Sequence, residues 1–321
     1  MTSKGRYVHD IFIYNIEENQ KIKVTEGRKI SPDFIPYAYG VKWSSDSNKI
    51  LYVSSEDGKS YNIYLYALVE RKKVKVFPSD EWDGSPFFSQ DDRRMLFVSA
   101  RDGNAKIFLV ECEEKISVEN INTCNLKDIE EGFFPILVNE NVFFVSQMKD
   151  GYMGIFRTNL NLQEKKREKV FIAKGRFISV SPGKNHIAFF CDENYYINKP
   201  AEKITSPICI SDLKTGKIYM IRETFLVSPE GPHWLNSKTL AEILPSEDLI
   251  ALIDITKKQM VKLNVGTVKN YCISASSNTV AICAFSFKKS PRSYNDVFYF
   301  KINEEELESI FKQKGVKINE K

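Results

Sequence analysis

The amino-acid sequence predicts an all-β fold, a β-propeller, because it repeats one unit of short alternating strands and marks the ends of those strands with turn residues. Residues 41–66 and 86–110 are two copies of this unit, and Trp43 in the first copy aligns with Phe88 in the second, 45 positions later. A repeat of that length, built from short strands, is the signature of a propeller blade. The sequence therefore predicts a ring of four-stranded antiparallel blades.

Each stretch of the repeated unit predicts a structural element. An aromatic-Ser-x-Asp piece at 43–46 ends an inner strand and begins a tight turn, in which Ser and Asp side chains can bond the backbone. Residues 50–54 then alternate as a half-buried strand does, and Asp57 with Gly58 turns the chain, since Gly tolerates positive φ. The third and fourth strands of this copy are predicted at 63–66 and 73–76.

Four more degraded copies follow along the chain, and the last two are the weakest. They are predicted at 142–156, 178–217, 232–255 and 271–300. At the N-terminus, residues 10–16 and 21–25 resemble a third and a fourth strand without an inner strand before them. Orphan outer strands of this kind complete the last blade and leave no sheet edge open. We therefore expect six blades closed by the N-terminal strand, with seven blades as the alternative.

The C-terminal segment predicts a short helix. Residues 304–314 begin with acids and end with lysines, which complements the helix dipole, and Leu307, Ile310 and Phe311 form an i, i+3, i+4 stripe. The expected organisation is a single propeller domain at 1–303, followed by a helix and tail at 304–321.

The blades resemble the TolB-like family of propeller repeats, a WD-like class. The likeness is greatest at residues 89–110, where Ser-Gln-Asp-Asp-Arg-Arg-Met-Leu-Phe-Val-Ser-Ala-Arg-Asp-Gly-Asn-Ala-Lys-Ile-Phe follows the family pattern almost position by position. It is strong over about 40–160 and faint afterwards. The resemblance implies the propeller fold and the binding of proteins or peptides, with no catalytic set to carry over.

Composition limits the partners and the compartment. A net charge of +4 is too balanced to argue for nucleic acid, and no segment resembles a membrane span or a signal peptide. The six cysteines show no C-x-x-C spacing, which predicts reduced core thiols and a cytoplasmic protein. A chain from which a signal peptide had been removed would show the same features, so a processed, exported protein is the alternative. We expect a monomer.

Catalytic motifs are missing from the sequence. It has no G-x-S-x-G elbow, P-loop, G-x-G-x-x-G or H-E-x-x-H. The three histidines, His9, His186 and His233, are too scattered for the metal sites of some propeller lyases. We therefore expect no cofactor, no metal and no catalytic residue.

Propeller geometry indicates which face would be used. Long insertions at 192–206 and 286–296 and the links into the inner strands open on one face around the central channel. The residues expected to bind a partner there are Trp82, Asp83, Glu131, Arg176, Tyr195, Tyr196, His233 and Arg292.

These observations predict a non-enzymatic module that binds a protein or peptide on the looped face. The alternative is an enzyme, a lyase, hydrolase or lactonase that uses rim carboxylates such as Asp83 and Glu131. A degenerate propeller that serves only as an assembly scaffold is a third reading.

Overall fold

The structure, a computed structural model, is built almost wholly from β-strands. It describes residues 10–15, 18, 20–25, 38–162, 168–191, 205–227, 231–244, 249–264, 269–276, 279–285 and 295–318. The chain divides into two compact units, one formed by 1–146 with 158–167 and the other by 147–157 with 168–321. The all-β class is thereby confirmed.

The first unit contains a hairpin, two complete blades and the start of a third. Its strands are β1 (Phe12–Asn15), β2 (Gln20–Lys23), β3 (Ala38–Trp43), β4 (Lys49–Ser54), β5 (Asn62–Ala67), β6 (Lys72–Lys75), β7 (Asp83–Phe88), β8 (Arg94–Ser99), β9 (Lys106–Glu111), β10 (Asn125–Glu131), β11 (Phe133–Val138) and β12 (Asn141–Gln147). Strands β3 to β6 and β7 to β10 form two four-stranded antiparallel sheets, and β11 pairs with β12. The two predicted copies are thus two four-stranded blades.

The predicted Ser-x-Asp turn occurs in the same form in both blades. The Ser44 hydroxyl donates to Asp46 Oδ1 at 2.7 Å, and the Ser89 hydroxyl donates to Asp91 Oδ1 at 2.5 Å. Burial raises the pKa of Asp46, but hydrogen bonds from Ser44, Lys49 and the backbone outweigh it and hold the pKa below its usual range. The turn is therefore stabilised by an ionised carboxylate.

Polar contacts between turns join consecutive blades of the first unit. Asp92 is fully buried, and its carboxylate accepts from the Ser45 amide at 2.8 Å and the Ser45 hydroxyl at 2.6 Å. Arg94 donates to both carboxylate oxygens of Glu140 at 2.8 and 3.1 Å. Each blade thus contacts the next through its turn between first and second strands.

The N-terminal hairpin packs on the first blade. Ile11, Ile13 and Val24 belong to the same buried cluster as Ile50 and Tyr52, whereas the alternate residues Phe12 and Tyr14 are 46% and 50% exposed. Strands β1 and β2 pair only with each other in the described residues. The hairpin exists as the sequence predicts, but closure of a ring by β1 and the number of blades stay predictions.

The second unit holds the later blades and the only α-helix of the described residues. Its elements are β13 (Met153–Asn159, of which 153–157 belong to this unit), β14 (Val170–Lys174), β15 (Arg176–Val180), β16 (His186–Phe190), β17 (Thr205–Asp212), β18 (Ile218–Leu226), β19 (Thr239–Leu244), β20 (Leu249–Asp254), β21 (Gln259–Asn264), β22 (Lys269–Ser276), β23 (Thr279–Phe285), β24 (Asn295–Lys301), α1 (Glu304–Lys314) and β25 (Val316–Lys317). Strands β15 to β18 form one four-stranded sheet, β19, β20, β21 and β25 form another, and β22 to β24 form a three-stranded sheet.

Helix α1 spans Glu304–Lys314, where the sequence predicts a helix. A capping box opens it: the Asn303 side chain accepts from the Glu306 amide, and the Glu306 side chain accepts from the Asn303 amide. Leu307 and Phe311 are each 2% exposed and pack with residues of β19, β20 and β21. The helix therefore covers one face of that sheet.

The prediction of reduced core thiols is wrong for four of the six cysteines. Cys112 and Cys124 form a disulfide with a Cα–Cα separation of 4.9 Å in the first unit, and Cys191 and Cys209 form one at 5.6 Å in the second. Neither pair has a short C-x-x-C spacing. Cys191 and Cys209 are brought together by the pairing of β16 with β17, and Cys112 and Cys124 by the segment that connects β9 with β10. The sequence pattern alone could not show this.

Candidate functional site

The eight residues predicted to bind a partner fall into three groups. Trp82, Asp83 and Glu131 belong to the first unit, and Arg176 and His233 belong to the second. The other three lie outside the described residues; they are Tyr195, Tyr196 and Arg292.

Asp83, the first residue of β7, is fully buried. Its Oδ1 lies 3.3 Å from the Arg101 guanidinium, and its Oδ2 accepts from the Ser79 hydroxyl at 3.4 Å. Burial raises the pKa of Asp83, and it outweighs hydrogen bonds from Ser99 and Arg101 that act in the opposite direction. The carboxyl group is thus committed to contacts inside its own blade.

Arg101 organises that interior network, although the sequence analysis did not include it in the site. Its Nε donates to the Ser99 hydroxyl at 2.8 Å, and its guanidinium donates to the Phe77 carbonyl at 3.1 Å. The guanidinium carbon also lies about 5 Å from the ring centroids of Phe97 and Phe108. The arginine of the Ser-Ala-Arg-Asp-Gly run therefore ties the turn after β8 to the start of β7.

Trp82 and Glu131, the other two predicted site residues of this unit, differ in environment. The Trp82 ring covers Gly84 so closely that a Cβ at Gly84 would lie 2.5 Å from the ring. Glu131 ends the outer strand β10, is exposed, and accepts from the Asn104 side chain at 3.2 Å. In the part of the chain that the structure describes, no group of three or more His, Cys, Asp or Glu residues could hold a metal ion.

In the second unit, the strand that begins at Arg176 and the segment that leads to His233 run side by side. Arg176 is 4% exposed, and its guanidinium carbon lies 5.5 Å from the Phe177 ring centroid. Gly231 has φ +83°, and a Cβ there would lie 2.9 Å from the Ile178 carbonyl. The Ser179 hydroxyl donates to the Pro232 carbonyl at 2.5 Å. A side chain at position 231 would push the two segments apart.

Glu242 connects His233 to the interior of this unit. It lies in the middle of β19 and is 1% exposed, between Leu240 and Leu244, which pack in an apolar cluster. Its Oε1 accepts from the His233 amide at 2.5 Å and lies 3.2 Å from His233 Nδ1. The His233 side chain retains 10% exposure and is therefore the member of the pair that reaches solvent.

Among the residues that the structure describes, the second carboxylate oxygen of Glu242 has no hydrogen-bond partner. The same holds for other buried polar atoms of this unit, among them His186 Nδ1, Glu223 Oε2, Trp234 Nε1 and Thr239 Oγ1. A buried acceptor that is left unpaired costs about 1–3 kcal/mol, and more when it is charged. A donor such as an ammonium or guanidinium group is the natural complement of this oxygen.

The sequence analysis missed Glu242 as a site residue. The signal that could have found it is a single acid inside Thr-Leu-Ala-Glu-Ile-Leu, a strand whose six residues are all buried. A charge in such a strand requires a partner, because an isolated buried carboxylate is costly. The partner observed on one oxygen is His233, which the sequence analysis did include.

Comparison with known proteins supports a TolB-like β-propeller family. The chain is 32% identical over 162 residues to the Tol-Pal system protein TolB of Helicobacter pylori, a match that covers 50% of this chain and 33% of that protein. The matched region therefore spans about a third of the length of these curated relatives. No family model matches the chain.

Solved propellers have a similar fold at low sequence identity. TolB from Acinetobacter baumannii superposes with a TM-score of 0.55 and 18% identity, covering 77% of this chain and 57% of that chain. The β-propeller domain of the Trilobed protease from Pyrococcus furiosus gives 0.58 and 16%, covering 93% and 89%. A puromycin-hydrolyzing peptidase from Mycobacterium tuberculosis gives 0.53 and 11%, covering 86% and 47%. These likenesses concern the fold alone.

The expectation of a cytoplasmic protein is wrong, because the TolB homologues are periplasmic proteins. That expectation depended on the assumption that the cysteines are reduced, and four of them are paired in disulfides. Disulfides persist in oxidising compartments. In the described residues, no helix has both the length and the apolar character of a membrane span.

Proposed function

We propose that this chain, a TolB-like β-propeller protein by its repeats, its relatives and its structural neighbours, is a non-enzymatic module that binds a protein or peptide partner. The observation that carries the proposal is the buried Glu242 carboxylate, which has one oxygen on His233 and the other without a hydrogen-bond partner within the described part of the chain. Glu242 is 1% exposed, so the His233 side chain must turn aside before a partner reaches that oxygen; a basic side chain or a terminal ammonium would then complete its hydrogen bonding.

The binding site in this proposal is centred on His233 and Glu242. His233 is the more exposed of the two, so a partner group would approach the carboxylate from the side of the imidazole ring. Arg176, Tyr195, Tyr196 and Arg292 stay in the proposal as further contacts from the looped face. Trp82, Asp83 and Glu131 are not part of the site in this proposal; Asp83 is internally paired with Arg101, and Glu131 contacts Asn104.

The enzyme alternative would need carboxylates that converge on a common point. Asp83 is buried against Arg101, whereas Glu131 is exposed at the end of β10 beside Asn104. The propeller domain of a protease, at 16% identity, and a second peptidase, at 11% identity, are among the structural neighbours. These environments favour the binding module over catalysis by this pair of acids.

We further propose that residues 1–303 form one six-bladed ring closed by the N-terminal strand, with 304–321 as helix and tail. The hairpin of β1 and β2 packs on the first blade, as the outer strands of a preceding blade would. The TolB relatives and the two disulfides support an oxidising compartment such as the periplasm. Hydrogen exchange tests closure: deletion of residues 1–25 should remove protection from β24, and unchanged protection would argue against it.

Affinity capture from native cell extract tests the binding proposal. The intact chain is compared with Glu242→Gln, which keeps the shape of the side chain and removes its charge, and with Glu131→Gln as a matched control. Recovery of a defined protein by the intact chain and the control, but not by Glu242→Gln, is the expected result. Equal recovery by all three would argue against a site at Glu242, and no recovery by any would argue against a binding module.

A further inference from the structure

The outer strand β14 presents an apolar edge. It is the outermost strand of its sheet, and in the described residues no strand pairs with its outer edge. Val170 and Phe171 are 38% and 47% exposed. An edge strand of this kind offers a row of backbone N–H and C=O groups as a template for another strand.

Several other outer strands are protected against such pairing, whereas residues 218–221 of the outer strand β18 are also uncharged. Strand β6 carries three lysines in four residues, and β10 contains three acids and one lysine. The outer edge of β21 is covered by a strand of the same chain. Charge and coverage are the two common ways in which proteins block sheet edges. Residues 170–173 of β14 contain no charge.

The cover on β21 shows how such an edge is occupied in this protein. Residues Val316 and Lys317 of β25 pair antiparallel with Met260 and Gln259. Two extended residues are enough to add a strand there. The fold therefore already uses strand addition at the outside of one sheet.

Basic residues flank the exposed edge of β14. Five basic and two acidic residues lie between positions 164 and 174 of the sequence. Lys169, just before the strand, has its Nζ 4.6 Å from the Phe156 ring centroid, whereas Lys174, at the end of the strand, is paired with Asp150 at 3.2 Å. An extended segment with acidic residues would match this pattern of charge.

We propose that β14 binds an extended, acidic peptide segment of a protein partner by strand addition. The segment pairs its backbone with the outer edge of β14, packs an apolar side chain against Phe171 and directs acids toward Lys169. This surface is separate from Glu242 and does not depend on the function proposed above.

A labelled peptide that alternates Val and Glu is the probe, and its fluorescence anisotropy is measured against the full chain. The same peptide with N-methylated backbone amides keeps the charge but cannot pair, so it should not bind. Hydrogen exchange should slow at 170–174 when the first peptide is present. Failure of the first peptide to saturate at about 1 mM, or equal binding by the N-methylated form, would overturn the proposal.

Two variants with the same change of charge separate the edge from general electrostatics. Phe171→Glu should weaken peptide binding about tenfold or more, because it removes the apolar contact and repels the acids of the peptide. Ile218→Glu is the matched control on β18, where Ile218 is 39% exposed, and it should leave the affinity unchanged. Equal loss in both variants, with native circular dichroism, would refute the proposal. So would sedimentation experiments that show a dimer of the parent chain but a monomer of the variant at Phe171, because a second copy of the chain would then cover β14.

Discussion

The buried carboxylate of Asp83 lies 3.3 Å from the guanidinium of Arg101, eighteen residues away in the chain. The pair connects the first residue of an inner strand with the turn between the next two strands of the same blade. Breaking a buried pair from one side leaves an uncompensated charge. The arginine that makes the repeat resemble the TolB-like family therefore has a structural role.

Replacement of Arg101 by glutamine should destabilise the chain by about 2–3 kcal/mol, because Asp83 then keeps its burial without its ion pair. Urea unfolding followed by circular dichroism measures the change. Lys59→Gln is the control, since Lys59 and Asp80 are 68% and 83% exposed and their pair should contribute under about 1 kcal/mol. Similar effects from both variants would contradict the assignment.

The pH dependence of stability should carry a contribution from Asp83. Burial raises the pKa of Asp83, so the folded chain binds this proton more tightly than the unfolded chain does. The stability that this group contributes is present at low pH and is lost as pH rises through the raised pKa. Asp83→Asn should remove that loss, which sets in as pH rises above the ordinary aspartate pKa of about 4. If urea unfolding shows the same dependence of stability on pH in Asp83→Asn and in the parent chain, that result would count against the raised pKa.

Acid should weaken the Ser-x-Asp turns in the opposite sense. Burial raises the pKa of Asp91, but hydrogen bonds from Ser89 and the Arg93 backbone lower this pKa by more, so the net shift is downward. The stability from this group is present above the unfolded pKa and is lost as pH falls through the folded pKa. Asp91→Asn should therefore lose less stability than the parent chain between about pH 5 and 2.

The N-terminal hairpin should contribute to stability through one of its faces. Ile13→Ala should cost about 2–4 kcal/mol, because Ile13 is buried against the first blade. Tyr14→Ala should cost about 0.5–1 kcal/mol, because Tyr14 is 50% exposed on the other face. Equal costs in thermal or urea unfolding would mean that the hairpin does not pack on that blade.

The disulfide between Cys112 and Cys124 should be detectable without reduction. Proteolysis followed by mass spectrometry should recover the two peptides as one linked species, and Cys112→Ser with Cys124→Ser should cost about 2–3 kcal/mol. Recovery of both peptides as free thiols from the chain isolated under alkylating conditions would contradict the pairing.

Much of the fold could be predicted from the sequence, because period-two alternation and Asp-Gly turns are local signals. These signals predict the bounds of β4, β5, β8 and β9 to within about one residue, and the charge pattern predicts α1. Contacts between distant residues left no such signal. The pairing of Asp83 with Arg101 and the pairing of Cys112 with Cys124 depend on how turns fold back onto their sheets.

The candidate site could be predicted only in part. His233 was recognisable as a polar residue on a link into an inner strand, but its neighbour Glu242 belongs to a buried strand and is brought to it by the pairing of residues 233–235 with β19. Tyr195, Tyr196 and Arg292 lie outside the described residues, so their part in binding stays a prediction.

The affinity of a captured partner for Glu242→Gln tests the central claim most directly. The partner is titrated against the parent chain, Glu242→Gln and Glu131→Gln, each with native circular dichroism. The account predicts a Kd about tenfold or more weaker for Glu242→Gln and an unchanged Kd for Glu131→Gln. An unchanged Kd for Glu242→Gln would contradict a binding site at His233 and Glu242.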